Sequence, residues 1–306
     1  MSLDFEKEVA DIVTLVPEDY RLASETVPIA TSILEEIDRR YGTDSDTPLA
    51  YHNATHSAGV TRRAVRLAKI IRPYIRAPYE DKLFDLAIVA GASHDYEQDY
   101  DPEIEFGRNE RESAAFAVRA IEEQDGALNH GRFTHRLKEG ILATTTSINK
   151  ETGEILQTRL NAGSHDPIKF DMAFSDINGI AMEGNRQMIL DATNLYLELI
   201  GKEGRVFSVD DLYDFYLKQA TFLSNRLNPG RVTSDIGYYF ADTVTDVYRD
   251  TFDNFNRNIV SAHDLALHIG KHPEIKHLIG VMTKSVELSR IGNTVAELVI
   301  RKFSSE

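Results

Sequence analysis

The chain has 306 residues, no cysteine and a formal net charge of −15, from 34 basic and 49 acidic side chains. Its length supports a substantial core in one or two domains, and the missing thiols exclude disulfides, thiolate metal sites and cysteine nucleophiles. The acidic balance, without a strong basic run, argues against binding a nucleic-acid backbone, and no apolar run approaches the ~18 residues of a membrane span.

In chain order, residues 1–50 read as a helical preface. The N-terminus has no apolar signal region, and the compartment expected is the cytoplasm. Ile29, Ile33, Leu34 and Ile37 recur at helical spacing between Pro28 and Arg40, and Tyr41-Gly42 supplies a stop. Tyr51-His52-Asn53-Ala54-Thr55-His56 opens a helix expected to run to about Arg72, with Val60, Ala64, Leu67, Ala68 and Ile71 on its apolar face. His56 is in phase with that face, where an imidazole needs a partner. His52, four residues earlier, shares the face if the helix already includes it. Two histidines at a helix start also fit a surface reading, so the pair alone decides little.

Leu83 to Ser93 is apolar on nearly every side and reads as a helix buried within a helical domain. It ends in His94-Asp95. Buried charge is expensive unless it is paired or bound to a metal, and a metal ion is the partner expected here. After an acidic, aromatic loop, a helix from about Asn109 carries Ala114, Ala115, Val118 and Ile121. The helix dipole accounts for at least one of Glu110 and Glu112. The other is a candidate for the metal site, through water or as an anchor for a histidine.

A further helix is expected over 133–148, with Thr144-Thr145-Thr146 near its end. These threonines read either as hydroxyls lining a polar cavity or as a fraying terminus. Residues 149–167 read as a loop or short hairpin and a candidate lid. In the helix expected over 169–180, Asp176 sits among Met172, Ala173, Phe174, Ile177 and Ile180, which a solvated face does not explain. It is the best candidate for a remaining metal ligand, with Asp171 a weaker rival. Helices are expected over 186–200, 209–227 and 233–260, and two or three more over 261–304.

Two other His-Asp pairs serve as controls. His165-Asp166 lies in a polar loop and is expected to be solvated, while His263-Asp264 fits a capping box opened by Ser261. Neither follows an apolar run, so the setting singles out His94-Asp95.

His56, His94, Asp95 and Asp176 together offer two imidazoles and two carboxylates from three helices. Such mixed ligands suit a borderline or hard divalent ion, one of Mn, Fe, Zn, Mg, Co or Ni. One ion or two fit the pattern. Four ligands on an octahedral ion leave positions for water and substrate, as a hydrolytic metal requires.

The ordered His56, His94-Asp95 and Asp176 resemble the signature of the HD-domain metal-dependent phosphohydrolases. Tyr51-His52-Asn53-x-x-His56 is similar to the opening of class I cyclic-nucleotide phosphodiesterases, as are Ile141-Leu142-Ala143-Thr144 and Ala173 to Asn178. His94-Asp95 followed by Tyr100-Asp101 and Asn109-Glu110-x-x-Ser113-Ala114 is closer to a bacterial group of HD phosphohydrolases of unassigned substrate. The resemblance covers residues 50–180 and thins beyond 200.

The resemblance implies metal ligation by His56, His94, Asp95 and Asp176, and protonation of the leaving oxygen by His52. It also implies a departure: the phosphodiesterases carry a second-metal histidine where this chain has Gln98. Cyclic nucleotides are therefore expected to be poor substrates. Gln98, Glu110, Glu112 and Thr145 stand as candidates for supporting the ligands or a second ion. Lys169, Lys218 and Arg226 are open guesses for a substrate phosphate.

The expected fold is all-α, an HD/phosphodiesterase-like helical bundle. Residues 1–50 form an extension, 51–200 the metal-binding core, and 201–306 helices packing on it, in one compact domain overall. The expected function is metal-dependent hydrolysis of a small-molecule phosphoester, with homo-oligomerisation left open. The alternative is a degenerate domain that senses a nucleotide or metal without catalysis; an intact His52 argues against it.

Overall fold

The computed structural model describes residues 4–75, 79–99, 105–148, 155–156, 166–181, 183–204, 211–212, 214–215, 257, 264 and 288–303. These residues are all-α apart from one small ladder. The helices are α1 (Phe5–Val13), α2 (Thr26–Tyr41), α3 (Ala54–Ile71), α4 (Leu83–Ser93), α5 (Arg108–Glu122), α6 (Gly131–Leu142), α7 (Pro167–Ala181), α8 (Asn185–Lys202) and α9 (Leu288–Phe303). Strands β1 (Ser147–Ile148) and β2 (Ile155–Leu156) pair antiparallel; β1 falls in the stretch expected to be helical and β2 in the one expected to be a loop or short hairpin. The helices expected over 209–227 and 233–260 lie largely outside the described residues, as does most of 261–287.

The chain forms two compact units. Unit 1 takes in residues up to Arg39 and Ala54–Ile177; unit 2 takes in Arg40–Asn53 and the described residues from Asn178 onward. The units interleave along the chain, because helices that share a core come from distant stretches of sequence. They therefore do not coincide with the stretches 1–50, 51–200 and 201–306.

Unit 1 is built around α4. All eleven of its residues are buried, and α3 packs along it with Val60, Ala64, Val65, Leu67, Ala68 and Ile71 buried. The two backbones approach closely where a Cβ on Gly91 would lie 2.6 Å from Thr61 Cα; only glycine fits there without a shift. Ile29, Ile33, Leu34 and Ile37 of α2 are buried, as their spacing predicts.

Asp85 is an acid inside the α4 apolar run. Its Oδ1 accepts from the Ala23 N–H at 2.8 Å and from the Thr26 hydroxyl, and its Oδ2 accepts from the Tyr20 hydroxyl at 2.7 Å. Residues 20–26 thus answer the buried charge of α4 with hydrogen bonds.

Two expectations need correction. The helix expected over 133–148 stops at Leu142, and the Thr144 and Thr145 hydroxyls each donate 2.8 Å to the carbonyls of Ile141 and Leu142. The threonines are buried, and their donors are spent on the helix end rather than on a polar cavity. Asp166, expected to be solvated, accepts from Arg136 Nε at 2.8 Å and Nη2 at 3.1 Å, and also caps α7 by accepting from the Ile168 N–H. Arg136 is itself buried and ties the carbonyls of Tyr79 and Asp81 to the same point. A guanidinium in the core requires such an acid.

Candidate metal centre

Three helices of unit 1 deliver four side chains to one point. His56 lies in the first turn of α3, His94 caps the end of α4 with Asp95 next to it, and Asp176 lies on α7. Each offers one ligand atom, and these atoms all lie within 4.8 Å of one another. His56 Nε2 is 3.3 Å from Asp95 Oδ2 and 3.3 Å from Asp176 Oδ1; His94 Nε2 is 3.0 Å from Asp95 Oδ2 and 3.4 Å from Asp176 Oδ1.

The tautomer of His94 follows from its neighbours. Nδ1 lies 2.9 Å from the Gly91 carbonyl, which only accepts, so Nδ1 carries a proton and Nε2 faces the cluster. That Nε2 is buried and makes no well-directed hydrogen bond. Its near neighbours converge on a point, as ligands of one cation would. Burial alone would lower the basicity of His94, but the charge of Asp95 and the close approach of the Asp176 and Asp95 carboxylates outweigh it and lift the group to about 10. Burial likewise works against the Asp176 carboxylate, yet hydrogen bonds from His56 and His94 and the His94 charge hold it below the usual carboxylate range. A proton therefore occupies the cluster that a cation fits.

The supporting candidates divide. Gln98 Nε2 donates 2.9 Å to Asp95 Oδ1. Glu110 is half-buried in the first turn of α5. Glu112 is exposed and lies 3.6 Å from Arg108, an i,i+4 surface pair. Asp171, the weaker rival, is buried outside the cluster with only the Ser175 hydroxyl on Oδ1, and burial pushes it well above the usual carboxylate range. Lys169 is engaged by Glu139 at 2.7 Å. Lys218, Arg226 and His263 lie outside the described residues; Asp264 is exposed.

His52 belongs to unit 2 and precedes α3, so it does not share a helical face with His56. Its Nδ1 lies 2.5 Å from Glu198 Oε1, while Glu198 Oε2 accepts from the backbone N–H groups of Tyr51 at 2.7 Å and His52 at 3.0 Å. Glu198 is 2% exposed. It is the functional candidate that sequence reasoning missed, although one acid within Leu195-Tyr196-Leu197-Glu198-Leu199-Ile200 is the same signal that picked out Asp176.

No protein-family profile, curated protein or solved structure matches the chain. The class defined by fold and site is therefore an all-α protein with a buried His₂Asp₂ group able to hold a metal ion.

Proposed function

We propose that the chain is a metal-dependent phosphohydrolase of the HD type, acting on a phosphate ester of a nucleotide or related small molecule. One observation carries the reading: His56, His94, Asp95 and Asp176 meet within 4.8 Å at the end of a buried helix. A divalent ion held there would supply Lewis acidity to a phosphoryl oxygen and to the attacking water. Asp95 and Asp176 offset its charge, and the Gly91 carbonyl keeps the His94 lone pair directed inward.

The resemblance assigns His52 the proton for the leaving oxygen. His52 and the four ligands belong to different compact units, so that role rests on the resemblance. Glu198 supports it chemically: a carboxylate only accepts, so it holds a proton on Nδ1 and fixes the orientation of the ring.

The test measures bound metal and kcat together. Wild-type protein and the exposed control Asp264→Ala should take up a divalent ion and hydrolyse a linear phosphoester. His52→Ala should keep the metal and lose about 10²–10⁴-fold in kcat on an alkyl ester, less on a nitrophenyl ester whose oxygen leaves unaided. Metal uptake without turnover across a phosphoester panel would favour the sensing alternative. Efficient turnover of cyclic AMP or cyclic GMP would overturn the inference drawn from Gln98.

A further inference from the structure

We infer that α5 orients the candidate metal centre: Asn109, Ser113 and Phe116 hold residues 96–99 as an extended strap that sets the direction of the Asp95 carboxylate. The inference rests on the proposed metal reading and adds three positioning residues to it. Their role follows from where Asp95 sits. His56 and Asp176 have their backbones fixed within α3 and α7, and His94 caps α4 with its ring against the Gly91 carbonyl. Asp95 alone of the four lies past a helix and its cap, so the residues that follow it decide where its side chain points.

Those residues run antiparallel along one face of α5. The Tyr96 ring stacks on Phe116 with 3.4 Å between centroids and 4° between planes. The Glu97 N–H donates 2.9 Å to the hydroxyl of Ser113, which is fully buried. Asp99 and Asn109 close the far end reciprocally. The Asp99 N–H donates 3.2 Å to Asn109 Oδ1, and Asn109 Nδ2 donates 3.0 Å to the Asp99 carbonyl. Between these anchors Gln98 turns back and donates 2.9 Å to Asp95 Oδ1, so the strap reaches the carboxylate itself. Asp95 Oδ2 is thereby held toward His94 Nε2 at 3.0 Å and His56 Nε2 at 3.3 Å.

The dimensions agree. Positions 109, 113 and 116 recur at i, i+4 and i+7, one face of a helix. At about 1.5 Å per residue they span roughly 10 Å of α5, and the extended chain from Tyr96 to Asp99 reaches about the same distance. Each anchor on α5 therefore meets its own residue of the strap, and a turn of Asp95 has to break one of them.

The experiment titrates the full chain with Co²⁺, reading affinity and visible absorption, which reports the geometry of ligands around the ion. Ser113→Ala and Phe116→Ala should each weaken Co²⁺ binding about 10–100-fold, the cost of losing a group that orients a ligand, and should change the absorption of the bound ion. Phe116→Tyr, which keeps the ring, should restore both. Ile121→Ala, buried on α5 beyond the strap, should lose stability to urea yet bind Co²⁺ as the wild type does. Wild-type affinity and absorption in folded Ser113→Ala and Phe116→Ala proteins would overturn the inference, as would an equal loss in Ile121→Ala. Amide exchange in the metal-free wild type needs neither a variant nor an ion: the Glu97 N–H should be protected, and exchange at the rate of an open loop would overturn the strap. A wild type that takes up no Co²⁺, Zn²⁺ or Mn²⁺ while Glu97 stays protected would be a different failure, that of the metal reading, and the positioning role would go with it.

Discussion

Helix α4 carries a buried acid at each end, and the two are treated in opposite ways. At the N-terminal end, three donors from residues 20–26 close around Asp85. At the C-terminal end, Asp95 meets two imidazoles and another carboxylate, and His94 Nε2 is left without a well-directed bond. Both sites lie against the same apolar run, so burial alone does not separate structure from function. Satisfaction does: a closed network stabilises the fold, and a convergent one that leaves an imidazole nitrogen unanswered is the candidate for holding a cation.

The sharpest way to break this contrast is to remove each acid in turn. Asp95→Ala should weaken metal binding beyond the roughly 100-fold that loss of an outer-shell partner costs at most. Asp85→Ala should leave affinity unchanged in the folded protein yet cost about 3–5 kcal/mol in urea denaturation, because three buried donors lose their acceptor. Equal metal content in the two variants would erase the distinction between the ends.

Gly91→Ala tests whether the functional end depends on the close approach of α3 and α4. A methyl 2.6 Å from Thr61 Cα should cost about 1–3 kcal/mol as overpacking. It should also lower metal affinity, since it pries apart the helices that carry His56 and His94. Lost stability with unchanged affinity would show that the approach matters only for packing.

Protonation gives the next effect. His94 is raised from 6.5 to about 10 in the metal-free protein. A group raised on folding contributes stability that is fully present below its unfolded value and is lost as pH rises through the folded one. The metal-free chain should therefore lose this contribution between about pH 6.5 and 10. Metal uptake must displace the same proton, so apparent affinity should rise about tenfold per pH unit over that window. Calorimetry in buffers of different ionisation enthalpy would count the proton, and Asp85→Asn should leave the count unchanged.

The smallest effect is Tyr20→Phe. Asp85 keeps its Ala23 and Thr26 donors, so denaturation should register about 1 kcal/mol and metal titration nothing.

Much of unit 1 was legible because its cues are local. The apolar run of α4, interrupted only by Asp85, predicts a fully buried helix, and the phase of His56 with Val60 and Ala64 predicts its inward direction. Asp176 stood out as one carboxylate among Met172, Phe174 and Ile177. Partnerships across long stretches were not legible. Nothing around Asp166 announces Arg136, thirty residues earlier, and nothing around His52 announces Glu198, 146 residues later. The threonines after Leu142 left two readings open for a different reason: a hydroxyl that returns to its own helix carbonyl ends a helix with the same residues that could line a cavity. Asp85 and Glu198 gave the signal of an acid in an apolar run, which marks burial without revealing whether donors or a cation answer it.

The discontinuity of unit 2 bears on how the chain is made. Residues 40–53 emerge early in synthesis, yet Arg290 of α9 donates to the Ser45 carbonyl across 245 residues, and Glu198 of α8 reaches His52 across 146. The closure entropy of such loops grows only slowly with their length, so distance costs little in final stability. It costs time. At about 5–20 residues per second, His52 waits roughly 7–30 s for its carboxylate, and Ser45 roughly 12–50 s for its guanidinium. The α3–α4 pair, by contrast, is complete with its three ligands once residue 95 has been added, so these helices can associate on the ribosome long before unit 2 closes.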